Sequence, residues 1–436
     1  MAPAPLLRVS VFLGMLVNGA LWATLPALLG AETGHGAQYG RVLGVANATS
    51  LLLSVLMGRL SDSITRVNAF RIAVIFAAIC PACMLAGLTA TSPTTAAVGS
   101  NPEPESVISS ATTAASTQVG ALVIAGAVFS RLRAPRVISR ALVVDTSSEE
   151  SRAASLGLLS AASGIGFVIG PTLGGWLAAR AGNRSAAQMC AALALINVAV
   201  SFSLRGEGAG TLAGNSKASS TATSASEPTD KPSTTLILKA VSAPRVRLLL
   251  TIQLFLSLGF QAFTAMFAAY CKRRFDFGQA TYGNVLSFCG FVWASTQGLL
   301  VPWLNRSGSL PDYQILRWST TSLCLGRLVL AAAYAWPWLL VGEALVVVGA
   351  ATSFTLLSSE TSKIVPPAVV GSVVGITAAI DSGCGILVPP LMGQLFDAYG
   401  DASGALVSAL CTAVGLLLVV FGLGPRAKVE TKVKQH

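Results

Sequence analysis

Residues 404–423 read GALVSALCTAVGLLLVVFGL, an apolar run without one charged side chain. A helix of roughly 20 such residues crosses the hydrocarbon core of a bilayer. In lipid the backbone must satisfy its own hydrogen bonds, so the run is read as a spanning helix. Working outward, eleven more stretches of the same kind precede it. The full set is 6–29, 42–60, 68–89, 118–142, 155–178, 186–204, 247–270, 282–303, 317–336, 338–362, 369–395 and 404–423. Composition agrees. Hydrophobic residues make up 53% of the 436, charged residues 11%, and mean hydropathy is +0.68. Soluble domains carry about 25% charged residues, so a water-soluble monomer is excluded. Eight Cys in a chain this long give no disulfide framework.

The fold class expected is an all-α membrane protein with twelve transmembrane helices in two six-helix halves. The N-terminal half covers 1–205 and carries an insertion at about 91–117. A flexible Ser/Thr/Gly/Ala-rich linker covers 206–244, the C-terminal half 245–425, and a basic tail 426–436. The first apolar run is long and carries only Arg8 ahead of its core, so it is read as a span rather than a cleaved signal. At Trp336-Pro337-Trp338 the proline should break the helix, with both Trp at the bilayer interface.

An even number of spans puts both termini on one side. Net charge is +11, which could signal a nucleic-acid partner, so its placement decides. With the termini cytoplasmic, Arg66, Arg71, Arg152, Arg245, Arg247, Lys363 and the tail bases fall inside. The outer insertion holds Glu103 and Glu105 but no base. The Lys272-Arg273-Arg274 run is the exception. The basic excess is therefore topological, and no nucleic-acid partner is expected.

The halves repeat. Tyr39-Gly40-Arg41-Val42-Leu43 opens the second span and Tyr282-Gly283-Asn284-Val285-Leu286 the eighth. Gly164, Gly166, Gly170, Pro171, Gly174 and Gly175 mark the fifth. Gly383, Gly385, Pro389, Pro390 and Gly393 mark the eleventh. The two offsets differ by about the length of the 91–117 insertion, so one insertion reconciles them. Parallel repeats of this kind place a binding site between the halves near the midplane, as in transporters.

Gly58-Arg59-Leu60-Ser61-Asp62, followed by Arg66, resembles the signature loop of the major facilitator superfamily. The resemblance implies that Asp62 caps the start of the eleventh span in the outward-open state. Gly58 would give close packing, with Arg66 as the cationic partner. The run Gly166 through Gly175 resembles the superfamily's antiporter motif, which implies a packed interface between halves and proton-coupled export. The stretch Val128-Phe129-Ser130-Arg131 through Asp145, Arg152 and Gly174 is similar to the tetracycline-exporter branch. Within that branch the likeness is to its organic-cation-transporter-like members. This implies export of amphipathic organic compounds or drugs by alternating access, without a cofactor, the proton gradient supplying the energy. Protons, a small organic solute and the lipid bilayer are the partners, and a monomer suffices.

Ionisable groups inside spans are expensive and become candidates by default. Asp381 in the eleventh span is the first choice for proton carrier, since a buried carboxylate can take up a proton near neutral pH; a structural hydrogen bond is the other reading. Glu343 in the tenth span is a second acid, and Glu360 lies near that span's inner end. Arg131, Arg133, Arg136 and Arg140 lie in the fourth span. They either face the cavity, favouring organic anions and making the chain a facilitator or importer, or snorkel to the inner surface. By the resemblance, Arg131 is the cavity candidate. Asn18, Gln253 and Gln261 can hydrogen-bond substrate or merely a neighbouring helix. Thr146 and Glu149 have capping-box spacing for the fifth span. Cys80-Pro81-Ala82-Cys83 has metal spacing but lies within a span, so packing is expected and no metal. Neither a Walker sequence nor a nucleophile-base set is present, so no ATPase or other enzyme is expected. A membrane scaffold or regulator that lost transport stays open as a different class.

Overall fold

The structure, a computed structural model, describes residues 3–29, 36–90, 125–126, 134–147, 149–204, 234–307, 310–366 and 369–423. The 91–117 insertion, most of the linker, Arg131, Arg133 and the basic tail lie outside them. Among the described residues the regular structure is helical. In order come α1 (Pro3–Leu28), α2 (Gly36–Ser63), α3 (Arg66–Ala90), α4 (Ala134–Thr146) and α5 (Glu149–Ser203). The second half of the chain gives α6 (Thr234–Ser242), α7 (Pro244–Phe275), α8 (Gln279–Ser295), α9 (Asp312–Ala332), α10 (Trp336–Ile364), α11 (Val370–Tyr399) and α12 (Ala402–Gly422). Eight helices among the described residues are long and apolar enough to cross a membrane. One of them, Ser155–Ser203, runs through the fifth and sixth expected spans. It turns at Gly182, where φ is +80°. Only glycine takes that backbone without strain.

Two local expectations change. Thr146 does not open a helix: it ends α4, and Ser147 N–H bonds back to Val143 C=O at 3.0 Å. The next helix starts at Glu149, too late for the capping-box register. Pro337 does not break a helix either. It sits in the first turn of α10, where its missing N–H costs nothing. Trp336 and Trp338 flank it, 59% and 46% exposed, as interface residues would be.

α8 continues past Ser295 through a π-helical turn (Thr296–Leu300) into a last stretch (Val301–Ser307). Pro302 lacks the N–H that a regular helix needs there, and a wider turn absorbs the gap. Gln297 in that turn donates to Ala351 C=O at 3.0 Å and Thr355 Oγ1 at 2.9 Å on α10.

The described chain falls into two compact units. The first joins 1–227, 265–291 and 385–401; the second joins 228–264, 292–384 and 402–436. In the first, Phe70, Val74, Ile138, Leu142 and Leu159 build an apolar core around Leu7 and Val11. In the second, Val246, Leu250, Val365, Val369 and Val373 build another. Each unit shows the same helix-end device. In the first, Arg71 of α3 donates to the carbonyls of Ser201, Phe202 and Leu204 at the end of α5. In the second, Arg317 of α9 donates to those of Val420 and Leu423 at the end of α12. A cation there answers the orphan carbonyls and the negative end of the helix dipole.

The Lys272-Arg273-Arg274 exception also has a physical account: all three are engaged locally. Lys272 bonds Asp276 at 2.5 Å, Arg274 pairs with Asp401 at 3.2 Å, and Arg273 stacks over Phe396 at 5.5 Å. Asp276 takes positive φ (53°), with its N–H bonded to Lys272 C=O and Phe277 N–H to Cys271 C=O. This is the helix-ending arrangement that glycine usually fills. The Lys272 hydrogen bond, with its charge, holds the Asp276 carboxyl below its ordinary pKa.

Candidate functional site

Glycines bring backbones into contact at two places in the first unit. On α2, a Cβ added at Gly40 would lie 2.2 Å from Pro389 C=O, and one at Gly44 would lie 2.8 Å from Ile386 C=O. On α8, a Cβ at Gly283 would lie 2.3 Å from Pro171 C=O. Gly393 packs on Gly36, and Gly175 on Gln279, with the same closeness. The α2–α11 and α5–α8 contacts are therefore equivalent, and they use the residues of the internal repeat. Hydrogen bonds support each. Asn47 donates to Gly385 C=O at 2.6 Å; Thr172 donates to Ser287 Oγ at 2.8 Å; Gln279 donates to Asn183 at 2.9 Å.

The helix-five motif divides its work. Gly166, Gly170 and Gly174 face α1, where added Cβ atoms would meet Phe12, Leu16 and Ala20 at 2.4–2.6 Å. Gly175 and the Pro171 carbonyl face α8 instead, while the Pro171 ring packs on Gly19 of α1. Gly283→Val or Gly40→Val is expected to lower stability by about 1–3 kcal/mol through overpacking. Gly371→Ala, in open space, should be neutral. Thermal unfolding of the detergent-solubilised variants checks this.

In the second unit a polar knot ties α7 to α11. Gln253 Nε2 donates to Asp381 Oδ1 at 2.9 Å, and Ser257 Oγ donates to the same oxygen. Gln253 and Ser257 are buried, one turn apart on α7. Asp381 is half-buried. Among the described residues Oδ2 has no hydrogen-bond partner. Of the residues expected to meet substrate or proton, Asp381 and Gln253 are thus brought together. Gln261, further along α7, does not join them.

Of a second charged site, Glu343 was anticipated and Arg327 was not. Arg327 on α9 is 1% exposed and lies over the Phe263 ring at 4.5 Å. Glu343 on α10 is 6% exposed. The two helices are antiparallel and cross at Gly326 and Gly342, where a Cβ on Gly326 would lie 2.8 Å from Gly342 C=O. Arg327 and Glu343 each follow one of those glycines. In antiparallel helices the next residue on each turns to the same side, so both charges face one place. The signal was present in the sequence, since Arg327 is a cation at the middle of an apolar span, with only Arg317 at that span's edge.

The other candidates separate. Asn18 lines a cavity of about 70 Å³ in the first unit with Ser10, Met15 and Asn197. Ser10 donates to Asn197 there at 2.6 Å, and Asn18 Oδ1 is buried without a partner among the described residues. Glu360 bonds Lys363 at 3.3 Å, and Lys363 also holds Asp312 at 2.6 Å, a helix-end role. Gly58 and Asp62 lie in the last turns of α2, and Arg66 opens α3 with two residues between the helices. Arg136 lies in α4, and Arg140, on the same helix, is exposed. Arg131 lies outside the described residues. Cys80 is fully buried against Met84, as packing would have it.

Comparison with known proteins places this geometry. The human solute carrier family 67 member A1 is 26% identical over 302 residues, 67% of this chain and 68% of the relative. Mouse solute carrier family 22 member 18 is 26% identical over 266 residues, 59% of this chain and 62% of the relative. The nucleoside transporter NupG superposes with a TM-score of 0.65 at 16% identity, over 96% of this chain and 98% of the other. A D-xylose-proton symporter gives 0.67 at 12%, over 97% of both chains. These structural likenesses show the fold, that of twelve-span transporters in two pseudo-symmetric halves. Residues 7–389 match the Major Facilitator Superfamily, and the chain belongs to that superfamily, as a multi-pass membrane transporter rather than an enzyme.

Proposed function

We propose that the chain exports small amphipathic organic solutes, organic cations and drugs among them, in exchange for protons. It works by alternating access as a monomer with both termini in the cytoplasm. The observation that carries this is the Asp381 knot. One carboxylate stands within a spanning helix, its Oδ1 held by two donors from α7. Oδ2 is left to take a proton or to face a cation. Either occupant cancels the charge, so the two exclude one another, and mutual exclusion at one anion is the simplest chemistry of exchange. Protonation also weakens the pull on the Gln253 and Ser257 donors, which would loosen α11 from α7.

The rest of the assignment follows the family. Asp62, with Gly58 and Arg66, governs opening at one end of α2. The Gly40–Pro389 and Gly283–Pro171 contacts close the other. The kinship with solute carrier family 22 member 18 supports the tetracycline-exporter branch. The clustering of bases at the ends of α5 and α12 and in the tail supports cytoplasmic termini. Residues 1–205 and 245–425 act as the moving halves, joined by 206–244.

Full-length protein in proteoliposomes is the test, with tetraphenylphosphonium as probe cation. An acidic lumen should drive its uptake, and a protonophore should stop it. Uptake that ignores the gradient removes the exchange. Uptake of an organic anion without any gradient would instead establish an anion facilitator, and no flux of either kind from folded protein a scaffold.

A further inference from the structure

The start of α2 is capped by a residue from far along the chain. Asp397, in the last turn of α11, accepts the Gly36 N–H on Oδ1 at 3.0 Å and the Ala37 N–H on Oδ2 at 2.7 Å. The first N–H groups of a helix have no partner inside it. A carboxylate at that end is favoured by the helix dipole as well as by the hydrogen bonds. Here the carboxylate is lent by a different helix. The loan depends on two missing side chains. A Cβ on Gly36 would lie 2.6 Å from Asp397 Oδ1, and one on Gly393 would lie 2.2 Å from Gly36 C=O. Backbone contact therefore sets the distance over which Asp397 works.

We infer that Asp397 is a gating residue of the transport cycle. It holds the end of α11 on the start of α2 while that side is shut, and lets go when it opens. The inference rests on the alternating-access reading. Three features support it. Both carboxylate oxygens are used, so parting the helices breaks both bonds at once. Asp397 is exposed at the surface, so water can replace the two amides on release, and the hold is reversible. The contact also stands at the opposite end of the helix pair from the cap that the family resemblance assigns to Asp62. Each helix would then carry an acid near its C-terminus for the N-terminus of the other, with one cap made in each of the two states.

Hydrogen exchange on the full chain in nanodiscs tests this without substrate or pH gradient. It is therefore independent of whether protons drive transport. In Asp397→Ala the amides opening α2 should exchange about tenfold faster, the loss expected of a charged cap. Peptides spanning 171–176 and 279–284 should also speed up, although Asp397 touches neither. The loop between α2 and α3 should slow, as the other end closes. Asp397→Asn keeps the shape and one acceptor, and should give the same pattern at lower amplitude. Faster exchange confined to the first turn of α2 would make Asp397 a local cap and overturn the inference. So would no change anywhere.

Discussion

Asp381→Asn is expected to abolish gradient-driven flux while leaving the protein folded. Counterflow of a cationic probe should weaken too, because the anion it shares with the proton is gone, whereas counterflow of an uncharged solute should persist. Asparagine keeps the size of the side chain, and its amide oxygen still accepts from Gln253 and Ser257. The α7–α11 knot therefore survives. Asparagine cannot take up a proton, so a pH gradient has nothing to act on. Counterflow of unlabelled for labelled uncharged solute separates the two effects. Coupled uptake that persists in Asp381→Asn sinks the proton-carrier assignment. Loss of counterflow for the uncharged solute as well would show that Asp381 is needed for the fold, not for protons and cations alone.

Arg327→Leu should destabilise the protein by about 3–5 kcal/mol, because it strands a buried carboxylate. Glu343→Leu should cost about as much for the converse reason. The double variant should recover most of the loss, since two leucines fill the space and no charge is left behind. The argument needs only burial and the crossing at Gly326 and Gly342, which puts both charges on one side of the α9–α10 pair. Unfolding midpoints of the three variants give the coupling. If the single losses simply add, Arg327 and Glu343 do not answer one another.

Much of the fold was legible because lipid imposes a crude filter. Long uncharged runs stand out at the level of composition, and so do the repeated Tyr-Gly and Gly-Pro signatures. Periodicity read less well where one residue of register mattered. Gly174 and Gly175 are neighbours in sequence, yet about 100° of helical rotation sends one to α1 and the other to α8. Thr146 failed as a cap for the same reason: the helix begins two residues too late. Asp381 was legible as a charge in the wrong solvent, and Arg327 was equally so. The partners of such charges were not legible. Gln253 stood out and Ser257 did not, and that both meet Asp381 shows only when α7 and α11 are side by side. The cap on Gly36 joins residues from opposite ends of the chain, and no local pattern announces it.

The glycine contacts have a consequence in genetics. At Gly40, Gly283, Gly175 and Gly393 a carbonyl oxygen occupies the place of the missing side chain. Every amino acid that a point mutation can put there carries at least one carbon into that place. Alanine, serine, valine and arginine alleles should therefore share one phenotype and differ only in severity, ranked by bulk rather than by chemistry. A charge-adding allele and a methyl-adding allele at Gly283 would fall into the same phenotypic class.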